Sequence, residues 1–129
     1  MKNKINAHEN ILSLIGNTPL IKLNKVTKSF DGDYYAKYEA MNPGQSNKDR
    51  IALHIVESAE KKGLIDKNST IIETTSGNTG FSLSMVSMVK GYKCIVAVSS
   101  KSSPDKIDML KAMGAKAVSY THLRAHETF

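Results

Sequence analysis

Three short segments constrain this chain more than any others. Thr70-Ile-Ile-Glu73, Lys93–Val98 and Lys116-Ala-Val118 start at near-equal intervals, and each reads as a strand. Between them lie two helical stretches. Residues 78–90 carry Phe81, Leu83, Met85, Val86, Met88 and Val89, their polar members are mostly serines, and Gly91 stops them; this predicts a buried helix. Ser103 suits the cap of the next helix, Pro104 its first position and Asp105 its first turn. Ile107, Leu110 and Met113 are expected to face inward, and Gly114 ends that helix. A β-α-β-α-β order gives right-handed crossovers and a parallel sheet. Lys93–Val98 is a nearly continuous apolar run, which predicts a strand buried on both faces. Ligands bind at the C-terminal ends of such strands, and Thr74–Gly80 lies at one of them.

The first half is less regular. Residues 8–15 predict a short helix with Ile11, Leu12 and Ile15 on one side. Gly16-Asn-Thr-Pro19 is a turn, Leu20-Ile-Lys-Leu23 a brief strand, and Phe30-Asp-Gly-Asp33 has hairpin-type turn chemistry before a second strand at Tyr34–Glu39. Asn42-Pro-Gly44 is a loop. Ser46 can cap the helix that follows, with Asp49 in its first turn. Ile51, Ile55 and Ala59 recur at helical spacing beside Ala52 and Val56, and Gly63 closes the helix.

Composition narrows the functional classes. With 129 residues the chain can bury one real core, and 40% hydrophobic with 23% charged residues suits a soluble globular protein. No apolar run has the length of a membrane span, and Met1–His8 lacks the apolar region of a secretory signal. The lone Cys94 excludes an internal disulfide and suits a reducing compartment, so a cytoplasmic protein with a buried, inert thiol is expected. The net charge of +6 comes from scattered lysines with no arginine-rich run, and aromatics are 6%. That pattern reads as a solvated surface, with neither a nucleic-acid nor a membrane partner expected.

Two stretches carry possible chemistry. Asn42-Pro-Gly-Gln-Ser-Asn-Lys48-Asp-Arg50 places one lysine at the entry to a helix. Thr75-Ser-Gly-Asn-Thr-Gly80 is a small, polar turn between strand and helix, where unpaired N–H groups and the helix dipole favour an anion. A lysine near such a turn can form a Schiff base once its amine is desolvated or set near other cations. Each stretch alone has a plainer explanation: most lysines are surface groups, and such junctions use Gly, Ser and Asn for the turn itself. Asp49 and Arg50 read as a local charge pair, worth little if exposed. Neither the P-loop spacing nor Gly-x-Gly-x-x-Gly is present. His122 and His126 stand four apart with Glu127 beside the second, but no third ligand is evident and no metal site is expected.

Taken together, residues 13–118 resemble the β-family of pyridoxal-phosphate enzymes, of fold type II, the group of cysteine synthase and cystathionine β-synthase. The resemblance rests on Ile15-Gly-Asn-Thr-Pro-Leu20, on Asn42-Pro-Gly44 through Ser46 and Lys48-Asp-Arg50, and on Thr75-Ser-Gly-Asn-Thr-Gly80. Gly91-Tyr92 and Met109-Leu-Lys-Ala-Met-Gly-Ala115 match as well. It implies an α/β fold of three-layer parallel-sheet βα units with a short N-terminal β-hairpin. Residues 1–41 would belong with the larger domain of a complete enzyme, and residues 42–118 would form the β/α domain. The implied cofactor is pyridoxal 5′-phosphate, carried covalently by the catalytic Lys48. Asn78 would meet the cofactor's ring hydroxyl oxygen, and Thr75, Ser76, Gly77, Asn78 and Thr79 would grip the substrate α-carboxylate. The implied reaction is β-replacement on an amino acid by a thiol, in a homodimeric enzyme. Ser102-Ser103 with Asp105-Lys-Ile-Asp108 is more similar to cystathionine β-synthase, which joins serine to homocysteine, than to cysteine synthase, which joins O-acetylserine to sulfide. Serine/threonine dehydratases share the fold, and the non-enzymatic alternative is a basic anion-binding module. Gln45 and Asn47 replace the family's commoner Gly and Val, and Thr74 a common Pro, without removing a reacting group. Residues 119–129 depart from the family, and resemble the artefactual tails of truncated reading frames; the 129-residue chain alone is expected to be inactive.

Overall fold

The computed structural model describes residues 7–75 and 77–121. A two-stranded antiparallel hairpin pairs β1 (Leu20–Lys22) with β2 (Tyr35–Lys37), Leu20 opposite Lys37. Helix α1 (Lys48–Lys61) follows. Then come β3 (Thr70–Thr74), α2 (Asn78–Lys90), β4 (Lys93–Ser99), α3 (Pro104–Ala112) and β5 (Lys116–Tyr120). The last three strands form a parallel sheet in the order β3-β4-β5. All three strands start where the sequence places them. The helix stops also hold: Gly91 and Gly114 take left-handed φ values of 81° and 77°, which glycine adopts without steric cost.

The layers follow from the crossovers. Consecutive strands in sequential order, joined with one handedness, put both connecting helices on one face of the sheet. That face carries Cys94, Val96 and Val98, buried against Leu110 of α3. Helix α2 packs there on β3 and β4, and against α1 on another side, so it lies within the fold. Its Leu83 and Val86 join Leu12, Ala52 and Val56 in a second cluster. Ser82, Ser84 and Ser87 are buried with them, as a serine-rich buried helix predicts. Ser84 Oγ satisfies itself on the Gly80 carbonyl at 2.7 Å. At the far end Lys90 Nζ and Tyr92 OH both donate to Glu60, each at 2.8 Å, fastening α2 to α1.

Four expectations are corrected. Residues 8–15 make only a single 3₁₀ turn, Ile11–Leu14, because Asn10 caps it and Gly16 at φ 85° turns the chain away; Leu12 alone is buried. The hairpin closes at Leu23 N–H to Tyr34 O, so its connection is a long loop and not a tight turn at 30–33. On α1 the buried face is Asp49, Ala52 and Val56, while Ile51 and Ile55 are exposed. Strand β4 alternates: Cys94, Val96 and Val98 are buried, whereas Ile95, Ala97 and Ser99 are half-buried, because both helices cover the same face.

Candidate active site

The site grows from the start of α1. Lys48 is its first residue, half-buried, and its amine donates to the Asn47 side-chain oxygen at 3.1 Å. Ser46 Oγ accepts the Lys48 N–H at 3.2 Å, the capping role predicted for it, although Asn47 holds the N-cap position.

Asp49 and Arg50 are not partners, contrary to the sequence reading. They point to opposite supports. Asp49 is fully buried, and its carboxylate accepts the Gly44 N–H and the Ser82 hydroxyl, each at 2.5 Å. One side chain thus ties the loop before Lys48 to α2. Gly44 is required there, because a Cβ would fall 2.2 Å from Asp49 Oδ1. Arg50 instead forks onto Glu39, with Nε to Oε2 at 2.7 Å and Nη2 to Oε1 at 2.9 Å, and reaches the Gly16 carbonyl at 2.8 Å. Asn42 completes the brace: its Oδ1 accepts the Gly16 N–H, and its Nδ2 donates to Glu39. Arg50, with help from the Thr18 hydroxyl, holds the Glu39 carboxyl at about 2 instead of 4.5. Nothing in the sequence pattern marks Glu39, Thr18 or Ser82 for these roles; the Gly-Asn-Thr-Pro and Asn-Pro-Gly turns are the nearest signals to the brace.

The second stretch begins where β3 ends. Thr75 N–H donates to Ala97 O at 3.0 Å, and Thr75 Oγ1 accepts the Gly77 N–H at 3.0 Å. Gly77 is the N-cap of α2; it offers no side-chain cap, and the first turn holds no acidic residue. Apart from the Gly77 N–H held by Thr75, the first-turn donors and positive dipole end of α2 are therefore open to an anion. Gly77 and Asn78 are exposed, and Thr75 and Thr79 half-buried. Gly80 lets α2 approach β4: a Cβ there would lie 2.7 Å from Thr75 Cγ2 and 3.0 Å from Val96 Cγ1. Ser76, and the His122, His126 and Glu127 group, lie outside the described residues; among the described residues no three His, Cys, Asp or Glu side chains gather as a metal site.

The two stretches meet across a cleft of about 260 Å³. Pro43, Gly44 and Gln45 form one wall, Gly77, Asn78 and Phe81 another, and α3 contributes Lys106 and Met109. Lys48 stands just beyond Gln45, outside the lining itself. Gln45 has φ 59°, the one non-glycine left-handed residue among those described. A lysine three residues from the cleft wall and a helix start with unpaired N–H groups on the opposite wall are compatible with a carbonyl cofactor carried by a lysine and a ligand held by its carboxylate.

This donor set and the parallel βα sheet define a class. Pyridoxal-phosphate dependent enzymes match the chain over residues 11–128, and the chain belongs to that family. Cystathionine beta-synthase of Apis mellifera is 53% identical over 110 residues, which are 84% of this chain and 22% of that protein. Cysteine synthase of a Flavobacterium strain is 49% identical over 110 residues, 85% of this chain and 36% of that protein. A hydrogen sulfide-producing enzyme of Fusobacterium nucleatum superposes with a TM-score of 0.81 at 45% identity, over 88% of this chain and 37% of that one. O-ureido-L-serine synthase superposes at 0.78 and 37% identity, with 88% and 36% covered. The chain thus spans well under half the length of these relatives. Among the described residues no helix is long and apolar enough to cross a membrane.

Proposed function

We propose that the protein carrying this sequence catalyses β-replacement in sulfur amino-acid metabolism, with serine and homocysteine as substrates, as in cystathionine β-synthase. The observation that supports it is the cleft bringing Pro43, Gly44 and Gln45, the residues just before Lys48, against Gly77 and Asn78. Pyridoxal phosphate, when bound, supplies an electron sink for the charge left on the substrate Cα. Lys48 would hold the cofactor through its amine, and that amine, when free, would serve as the general base that takes the Cα proton and returns one to the product. Thr75, Ser76, Gly77, Asn78 and Thr79 hold the substrate carboxylate at the start of α2, with Asn78 also meeting the cofactor's ring hydroxyl. Asp49 ties the lysine loop to α2 through Ser82, and Arg50 braces the start of α1 against Glu39 and Gly16. Residues 42–118 act as the β/α domain and 1–41 belong with a larger one, in a cytoplasmic homodimer.

A second reading, cysteine synthase with O-acetylserine and sulfide, is favoured by the 49% identity to the Flavobacterium enzyme. The test uses the enzyme carrying this sequence. Borohydride reduction is expected to fix the cofactor on Lys48, and Lys48→Ala to abolish the adduct; an unchanged adduct sinks the assignment. Turnover of serine with homocysteine, against O-acetylserine with sulfide, separates the two readings, and keto-acid release without a thiol marks a dehydratase.

A further inference from the structure

The cleft beside the substrate loop has two polar side chains that the roles above leave unused. Gln45 lines it from the lysine loop and Lys106 from the first turn of α3, while Phe81 and Met109 supply an apolar wall and Asn78 adjoins them. Gln45 keeps a left-handed backbone, at φ 59°, a conformation that glycine adopts freely and that glutamine does not. Such residues concentrate at ligand clamps, where the surrounding structure holds them. Among the described residues no ion pair or side-chain hydrogen bond engages the Lys106 amine or the Gln45 amide. A cation and an amide beside an apolar wall suit a small ligand with a carboxylate on a short aliphatic or sulfur-bearing chain. Inorganic sulfide would use neither the charge nor the wall.

We propose that Gln45 and Lys106 recognise the carboxylate of the second substrate, so that this cleft selects a carboxylate-bearing thiol over a thiol without one. Lys106 supplies the charge, Gln45 a hydrogen bond that fixes orientation, and the Phe81–Met109 wall covers the methylene chain. This rests on the β-replacement reading of the preceding subsection and assigns the specificity of its second half-reaction.

The test compares homocysteine, its decarboxylated analogue 3-mercaptopropylamine, its deaminated analogue 4-mercaptobutyrate, and sulfide, each with serine, in the enzyme carrying this sequence. Lys106→Ala is expected to raise the KM for homocysteine and 4-mercaptobutyrate about tenfold, the loss of one charge-assisted contact. The KM values for 3-mercaptopropylamine and serine are expected to move less than twofold. Lys106→Arg is expected to recover most of the loss, and Gln45→Gly to reduce the same discrimination. Titration of methionine into the protein gives a reading without turnover: its affinity is expected to fall in Lys106→Ala in step with the KM effect. Equal losses for all four thiols, or no loss for any, would overturn the assignment. Failure of borohydride to trap Lys48 would instead remove the reading beneath it, a separate and separately visible result.

Discussion

Asp49 offers the sharpest test of how this site is built. Its carboxylate is wholly buried, and its two partners, Gly44 N–H and Ser82 hydroxyl, come from two different elements. Asp49→Ala removes both acceptors and leaves one backbone and one side-chain donor buried. Each stranded donor costs about 1–3 kcal/mol, so the loss should be about 4 kcal/mol. Asp49→Asn behaves differently. The amide oxygen can face Gly44, and the Ser82 hydroxyl can turn to accept from the amide nitrogen. Both contacts survive without charge assistance, at a cost of about 1–2 kcal/mol. The midpoint of urea unfolding, at constant slope, reads these values. A double-mutant cycle with Ser82→Ala should give a coupling of about 1–3 kcal/mol, since the two side chains are in direct contact. Equal losses for the alanine and asparagine variants, or a coupling near zero, would refute the claim that this carboxylate ties the lysine loop to α2.

Three further outcomes can be measured on the same protein. Gln45→Gly should stabilise by about 0.5 kcal/mol, because relief of a left-handed backbone worth about 1–2 kcal/mol outweighs the added chain entropy of glycine, and urea unfolding reads it. Gly80→Ala should destabilise by about 1–3 kcal/mol, as its new methyl meets Thr75 and Val96, seen as a lower thermal midpoint. Glu39, held at about 2 chiefly by Arg50, contributes stability that is complete above pH 4.5 and lost as the pH falls through about 2. Glu39→Gln should therefore flatten the acid limb of a stability–pH curve between those values.

The second half of the chain was legible because each signal there is local. Strand starts at Thr70, Lys93 and Lys116 are set by short apolar runs, and Gly91 and Gly114 terminate the helices between them through their own φ values. The first half hid its organisation in contacts between distant residues. Ile51 and Ile55 looked like the core of α1 because isoleucine outweighs alanine in any apolar count. The helix is turned by Asp49, whose burial depends on Ser82, 33 residues on. Arg50 and Glu39 meet across an irregular turn, and no periodicity signals such a pair. At the site, Lys48 and the Thr75–Gly80 turn were visible as motifs. Lys106 was not, because its place at the cleft depends on how α3 packs back over β4.

The β1–β2 hairpin bears on the order in which the protein comes apart. Strand β1 is exposed throughout, and β2 nearly so, while β4 lies at the centre of its sheet. What holds the hairpin strands themselves to the rest is polar, Arg50 to Gly16 and Glu39 and Asn42 to Gly16, while Leu12 ahead of them stays in the α1–α2 apolar cluster. Little apolar surface is lost when that brace releases, so its opening requires much less free energy than global unfolding. The brace ends two residues from Lys48. The hairpin can therefore open as a local cooperative unit while the βα core stays folded.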